Sequence, residues 1–212
     1  MASNQHTNHG NHDPETEVQL SYYASRAKAI ETLLVEKGVM TTSEIDREVN
    51  AMDSKSPADG AKIVALAWSD ESFKTRLLAN ASDALKEIGY ELPDKTPYLK
   101  VVENSDSIHH VVVCTLCSCY PRMLLGRPPD WYKSLAYRSR VVVSPREVME
   151  EFGLRLSDDV EVRVLDSTAD MRYMVIPRRP SGTEALDQES LAALVTRDSM
   201  IGVSDPLSAD RL

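Results

Sequence analysis

Cys114, Cys117 and Cys119 are the only cysteines in this chain of 212 residues. A disulfide framework spreads its cysteines to clip distant segments together, and an odd total leaves one over. Three sulfurs this close cannot staple a fold, but they can surround a metal ion. In Val113-Cys114-Thr115-Leu116-Cys117-Ser118-Cys119-Tyr120-Pro121 the thiols stand at i, i+3 and i+5. They converge on one point only if the backbone curls around it, and the small residues Thr115 and Ser118 permit that curl. Zinc fits less well. Its structural sites usually close with four Cys or His ligands, and the fourth would have to be His109 or His110, which a strand points to opposite faces. An unliganded cluster is the other lesser alternative, since grouped thiols are redox-labile.

The elements around this segment define its setting. Residues 1–16 are polar, carry His6, His9 and His12, and read as a disordered tail. Residues 17–92 read as a helical arm followed by further helices. Leu20, Tyr23, Ala27, Ile30, Leu33 and Leu34 recur at three- and four-residue steps along a first helix, which Gly38 stops. Thr42 is the expected cap of a second helix. Ser56-Pro57 breaks the chain before a third. Ser69-Asp70-Glu71-Ser72 opens a fourth, which runs past Phe73, Leu77, Leu78 and Leu85 to Gly89.

Residues 93–203 read as the α+β core. Tyr98 to Glu103 and Ile108 to Val113 are β-rich runs joined by turn residues, Asn104 to Ser107. Asp159 to Leu165 and Arg172 to Ile176 form a second such pair, and a short helix from Pro145 to Phe152 lies between the pairs. Residues 204–212 are a tail. The fold class expected is α+β, with helices first, a small mixed β region second, and the cysteine loop at a strand end.

A charge of −9 argues against nucleic acid or an anionic membrane as the main partner. No apolar run approaches the roughly 20 residues needed to cross a bilayer, and Met1 to His6 lacks a secretory signal's basic start and apolar stretch. The expectation is a soluble, cytoplasmic protein.

Cys-Thr-Leu-Cys-Ser-Cys resembles the metal-binding motif of the nitrile hydratase α-subunit family, which includes the thiocyanate hydrolase γ-subunit. The resemblance extends to Val102-Glu103-Asn104, Pro128 to Lys133, Tyr137 to Val141 and Thr168 to Tyr173, and covers most of residues 20–203. It implies a low-spin Co(III) ion with Cys114 as axial thiolate and Cys117 and Cys119 equatorial. The deprotonated amide nitrogens of Ser118 and Cys119 would complete the protein's ligands. Cys117 would be oxidised to sulfinate and Cys119 to sulfenate, leaving a sixth position for water or substrate. Thr115 goes with cobalt in the family and Ser at that place with iron, so cobalt is expected over iron.

The resemblance also implies partners. A β-type subunit would supply arginines to the oxidised cysteines, and a small activator protein would insert the cobalt. Arg172 matches a family arginine near the subunit junction, and Asp166 lies close to it. Two departures add positive charge: Arg122 replaces the Trp of the usual Tyr-Pro-Trp-Pro, and Lys95 falls near a position usually Gln. Arg122 with Ser118 is therefore the candidate substrate contact, and Cys119 with Cys117 the candidate catalytic pair. Three functions compete: hydration of a nitrile, hydrolysis of thiocyanate, and non-catalytic cobalt carriage for assembly.

Overall fold

The computed structural model describes residues 21–93 and 96–211, so the expectations for His6, His9, His12 and Lys95 lie outside the described residues. Packing divides the chain into two compact units at Glu48/Val49. In the first, Ser21 caps α1 (Tyr22–Glu36) by accepting a hydrogen bond from Ala24 N at 3.3 Å. Gly38, at φ 65°, ends the run. None of the α1 residues is buried.

Helix α2 (Thr42–Asp53) is capped by Thr41 rather than the expected Thr42. Glu44 N donates to Thr41 Oγ1 at 3.2 Å, while Thr41 N donates to Glu44 Oε2 at 2.7 Å. The acidic side chain three residues on selects Thr41, because only that spacing closes the reciprocal pair.

In the second unit α3 (Pro57–Ser69) starts at Pro57, whose missing N–H costs nothing in a first turn. Ile63, Val64, Ala65 and Ala67 are buried, which makes α3 a core helix. The spacing predicts one helix from Ser69 to Gly89, but two form: α4 (Glu71–Ala79) and α5 (Ala81–Glu87). Asn80 interrupts them with an extended backbone, and its Oδ1 accepts from Asp83 N at 3.3 Å. A side chain able to cap a new helix is favoured at such a break.

Strands β1 (Tyr98–Glu103) and β2 (Ile108–Val113) follow, then four short helices, α6 (Arg122–Leu125), α7 (Asp130–Lys133), α8 (Leu135–Arg140) and α9 (Pro145–Glu151). Next come β3 (Glu161–Asp166) and β4 (Met171–Ile176), and after them α10 (Gln188–Leu194) and α11 (Arg197–Ile201). The strands occupy the expected positions, but they do not pair across their turns. β1 pairs with β4 and β2 with β3, both parallel. Asn104 to Ser107 carries the chain from one two-stranded sheet to the other. Asn104 N donates to Ile176 O at 2.9 Å, so the turn begins still bound to β4. Parallel pairs are buried structures, and β2 is buried from His109 to Val113.

One core joins α3, α4 and α5 to the strands, Tyr132, Tyr137, Met149, Met200 and Ile201. The helices of residues 57–87 therefore pack with the β region. Gly202, at φ 86°, lets α11 lie against β2, since a Cβ there would strike the His110 carbonyl. The α+β class expected is the one adopted. Among the described residues no helix is long and apolar enough to cross a membrane.

Candidate metal centre

β2 delivers the chain to the cysteine loop with its end held firmly. The Tyr137 hydroxyl donates to Val112 O at 2.6 Å, and Ser167 N donates to Val113 O at 2.7 Å. The thiols then turn inward. Cys114 Sγ lies 3.4 Å from Cys117 Sγ, which lies 3.2 Å from Cys119 Sγ. All three are within 4.8 Å of one another. Cys117 N donates to Cys114 Sγ at 3.3 Å, the bond that starts the curl. Cys114 is buried, Cys119 is half-buried and Cys117 is exposed.

The chain's own polar groups hold both ends of the loop. Asp166, at the end of β3, accepts from Thr115 N at 2.9 Å and Thr115 Oγ1 at 2.6 Å. Arg138 on α8 donates from Nε to Cys114 O at 3.1 Å and from Nη2 to Thr115 O at 2.8 Å. At the far end, Tyr132 Oη donates to Cys119 O at 2.8 Å. Burial pushes the Tyr132 phenol well above its ordinary range, so it stays a donor. Tyr132 stacks edge-on against Tyr120, and Trp131 packs against Tyr137 and Phe152. This aromatic layer fixes α7 and α8 beneath the loop.

The electrostatics favour a cation at this point. Hydrogen bonds from the Cys119 and Cys114 thiols bring Cys117 down to about 7, while burial and then Cys117 push Cys119 up to about 12. One thiolate forms readily, and further ionisation in so small a space needs positive charge. Among the described residues the amide N–H groups of Ser118 and Cys119 donate to no backbone oxygen, and they lie close enough to Cys117 to help lower its pKa. Three convergent sulfurs and two uncommitted amides make up a donor set suited to a small, highly charged ion. A thiol-loving divalent ion seeking a fourth side chain is served less well, because the only metal-competent group among the described residues is the three cysteines. His109 and His110 take no part. His109 Nε2 meets Gly202 O at 2.8 Å, and Asn104 lies 3.1 Å from a ring nitrogen of each histidine.

The other expected site residues fall in different places. Asp166 is joined to the loop directly. Arg172 donates to the carbonyls of Thr168, Ala169 and Met171, bracing the β3–β4 turn, and its charge acts on Cys119. Arg122 opens α6 three residues after Cys119 and is exposed, and its guanidinium makes no hydrogen bond or ion pair among the described residues. Ser118 is half-buried in the loop. Arg138, Tyr132 and Tyr137 are functional neighbours to which sequence reasoning assigns no role. Their one signal was membership of the stretches 128–133 and 137–141.

A family model described as "Nitrile hydratase, alpha chain" matches residues 21–204. The chain is 49% identical over 188 residues to the high-molecular weight cobalt-containing nitrile hydratase subunit alpha of Rhodococcus rhodochrous, covering 88% of this chain and 92% of that one. It is 39% identical over 188 residues to the thiocyanate hydrolase subunit gamma of Thiobacillus thioparus, covering 84% and 77%. A solved recombinant thiocyanate hydrolase comprising partially modified cobalt centres superposes with a TM-score of 0.83 at 38% identity, covering 89% and 91%.

Proposed function

Because the chain belongs to the nitrile hydratase α-chain family, we propose that it is the metal-bearing catalytic subunit of a nitrile hydratase, converting a nitrile and water to an amide. The observation that carries this reading is the three-sulfur cluster with two uncommitted amides in its loop. Cys114, Cys117, Cys119 and the amide nitrogens of Ser118 and Cys119 would hold a low-spin Co(III) ion, with iron the lesser choice. The cobalt named in the Rhodococcus relative supports this. The bound ion would supply Lewis acidity, polarising the nitrile towards attack.

The chain's own groups do the rest. Cys117 as sulfinate and Cys119 as sulfenate would present oxygens on the open side of the loop. The Cys119 sulfenate oxygen would act as nucleophile on the nitrile carbon, or as base towards a water that attacks it. Arg172 lends positive charge to Cys119 from the adjoining turn. Arg122 would orient a polar nitrile by hydrogen bonding to a heteroatom, with Ser118 beside it.

A β-type partner would bring arginines to the oxidised cysteines, a small activator protein would load the cobalt, and the complex would work in the cytoplasm. The arm of residues 17–50 would lie along that partner, which accords with the exposed Tyr22, Tyr23, Ile30 and Leu33. Residues 93–203 would form the metal-binding core.

Arg122 also supports a second reading. A free guanidinium three residues beyond Cys119 suits an anion, and thiocyanate is one. The deciding experiment is a steady-state assay of the cobalt-grown complex on thiocyanate and a panel of nitriles. Amide formation supports nitrile hydration. Carbonyl sulfide and ammonia released from thiocyanate alone would replace it with the second reading. A protein that binds cobalt reversibly, without oxygen added to its cysteines, would be a carrier.

A further inference from the structure

The cysteine loop is held unevenly. Its entry is fixed by Tyr137, Ser167, Arg138 and Asp166, and its exit by Tyr132. Between them Leu116 is 85% exposed, and Leu116, Cys117 and Ser118 make no side-chain bond to the rest of the protein among the described residues except through the sulfurs. The entry therefore decides where the buried Cys114 sulfur points, and the free middle can close around an ion afterwards.

Among the entry groups Arg138 has a singular geometry. Its planar guanidinium spans two successive carbonyls, Cys114 O and Thr115 O, with two parallel N–H groups. A fork of this kind fixes both distance and orientation, which a single donor cannot do. On its other side the same Thr115 residue gives its N–H and Oγ1 to Asp166. The Cys114–Thr115 peptide is thus gripped by a cation at its carbonyl, Cys114 O, and by an anion at its amide, Thr115 N, so its dipole runs between the two charges. Arg138 is itself set by its neighbour in sequence: Tyr137 is buried, bonded to Val112 O and packed on Trp131. A half-buried guanidinium so close to the loop also offsets the negative charge that three thiolates and two amidates leave around a trivalent ion.

We propose that Arg138 is a positioning residue for the metal loop: by clamping the Cys114 and Thr115 carbonyls it holds the Cys114 sulfur in place before metal arrives. This rests on the cobalt reading above and adds a role outside the ligand set. The test compares wild type, Arg138→Gln and Arg138→Lys in the complex co-expressed with its β-type partner. Cobalt per chain at limiting metal and the sulfur-to-cobalt absorption bands are measured on cobalt-grown material. The rate of Cys114 alkylation is measured on complex grown without cobalt, with thermal melting as the control for folding.

Arg138→Gln is expected to lower cobalt uptake by about tenfold, the usual scale for losing a support of a metal ligand, to shift the absorption bands and to expose Cys114 to alkylation. Arg138→Lys restores the charge without the fork and should fall between. Wild-type uptake, bands and Cys114 protection in Arg138→Gln would overturn the proposal; if that variant does not fold, the same three results in Arg138→Lys would do so. A wild-type complex that takes up no cobalt would defeat the functional reading instead, and Cys114 alkylation would still judge Arg138.

Discussion

Asp166 and Thr115 meet twice, through Thr115 N at 2.9 Å and Thr115 Oγ1 at 2.6 Å, although they stand 51 residues apart. The end of β3 thereby dictates the path of the loop that leaves β2. A carboxylate accepting two donors is stronger than a neutral acceptor would be, and the hydroxyl at position 115 is half of its grip.

Thr115→Ser keeps both donors and is expected to retain cobalt near the wild-type level. Thr115→Val removes one, and Asp166→Asn turns an acceptor into a donor. Both should lower cobalt content several-fold, up to about tenfold. Elemental analysis of the three purified complexes checks the order.

Arg122 is exposed, and its guanidinium is unengaged among the described residues. Arg122→Trp should reduce the preference for thiocyanate or polar nitriles over aliphatic ones by about tenfold, or ~1.4 kcal/mol. Ratios of kcat/KM across the panel measure it. An unchanged ratio would remove Arg122 from substrate recognition.

His109 is buried as a neutral ring. Desolvation holds its pKa below the ordinary histidine value of 6.5, and Gly202 O and Asn104 flank its two nitrogens. Because the folded pKa lies below the unfolded one, the unfolded chain takes up the proton first on acidification. The stability His109 contributes is therefore present above pH 6.5 and lost as pH falls through its folded pKa. Melting temperature should drop as pH falls from about 7 to about 5, a span that begins just above the ordinary histidine value. In His109→Gln the drop should be shallower.

Gly202 closes the contact between α11 and β2. Gly202→Ala must place a Cβ against the His110 carbonyl at φ 86°, and it should destabilise by about 2–4 kcal/mol. Thermal melting of the complex reads this directly. A melting temperature equal to wild type would mean that α11 does not depend on this close approach.

The candidate metal cluster was legible because its members are neighbours in sequence: three thiols within one loop point to metal binding without a fold. The groups that support them were not. Arg138 reaches the loop from a six-residue helix too short to show periodicity, and Asp166 arrives from a strand pairing that the turn residues disguised. Asn104 to Ser107 has hairpin composition, yet it joins two sheets, because the buried β2 takes β3 as its partner. The division of residues 69–89 at Asn80 was open to inspection in principle, since Asn three residues before Asp83 is a capping pattern. The apolar spacing of Phe73, Leu77 and Leu85 masked it.

The most direct measurement is elemental analysis combined with intact mass on the complex matured in cobalt-containing medium. The account predicts close to one cobalt per chain, with three added oxygen atoms on the peptide that carries Cys117 and Cys119. Zinc in place of cobalt, or no transition metal and unmodified cysteines, would contradict it.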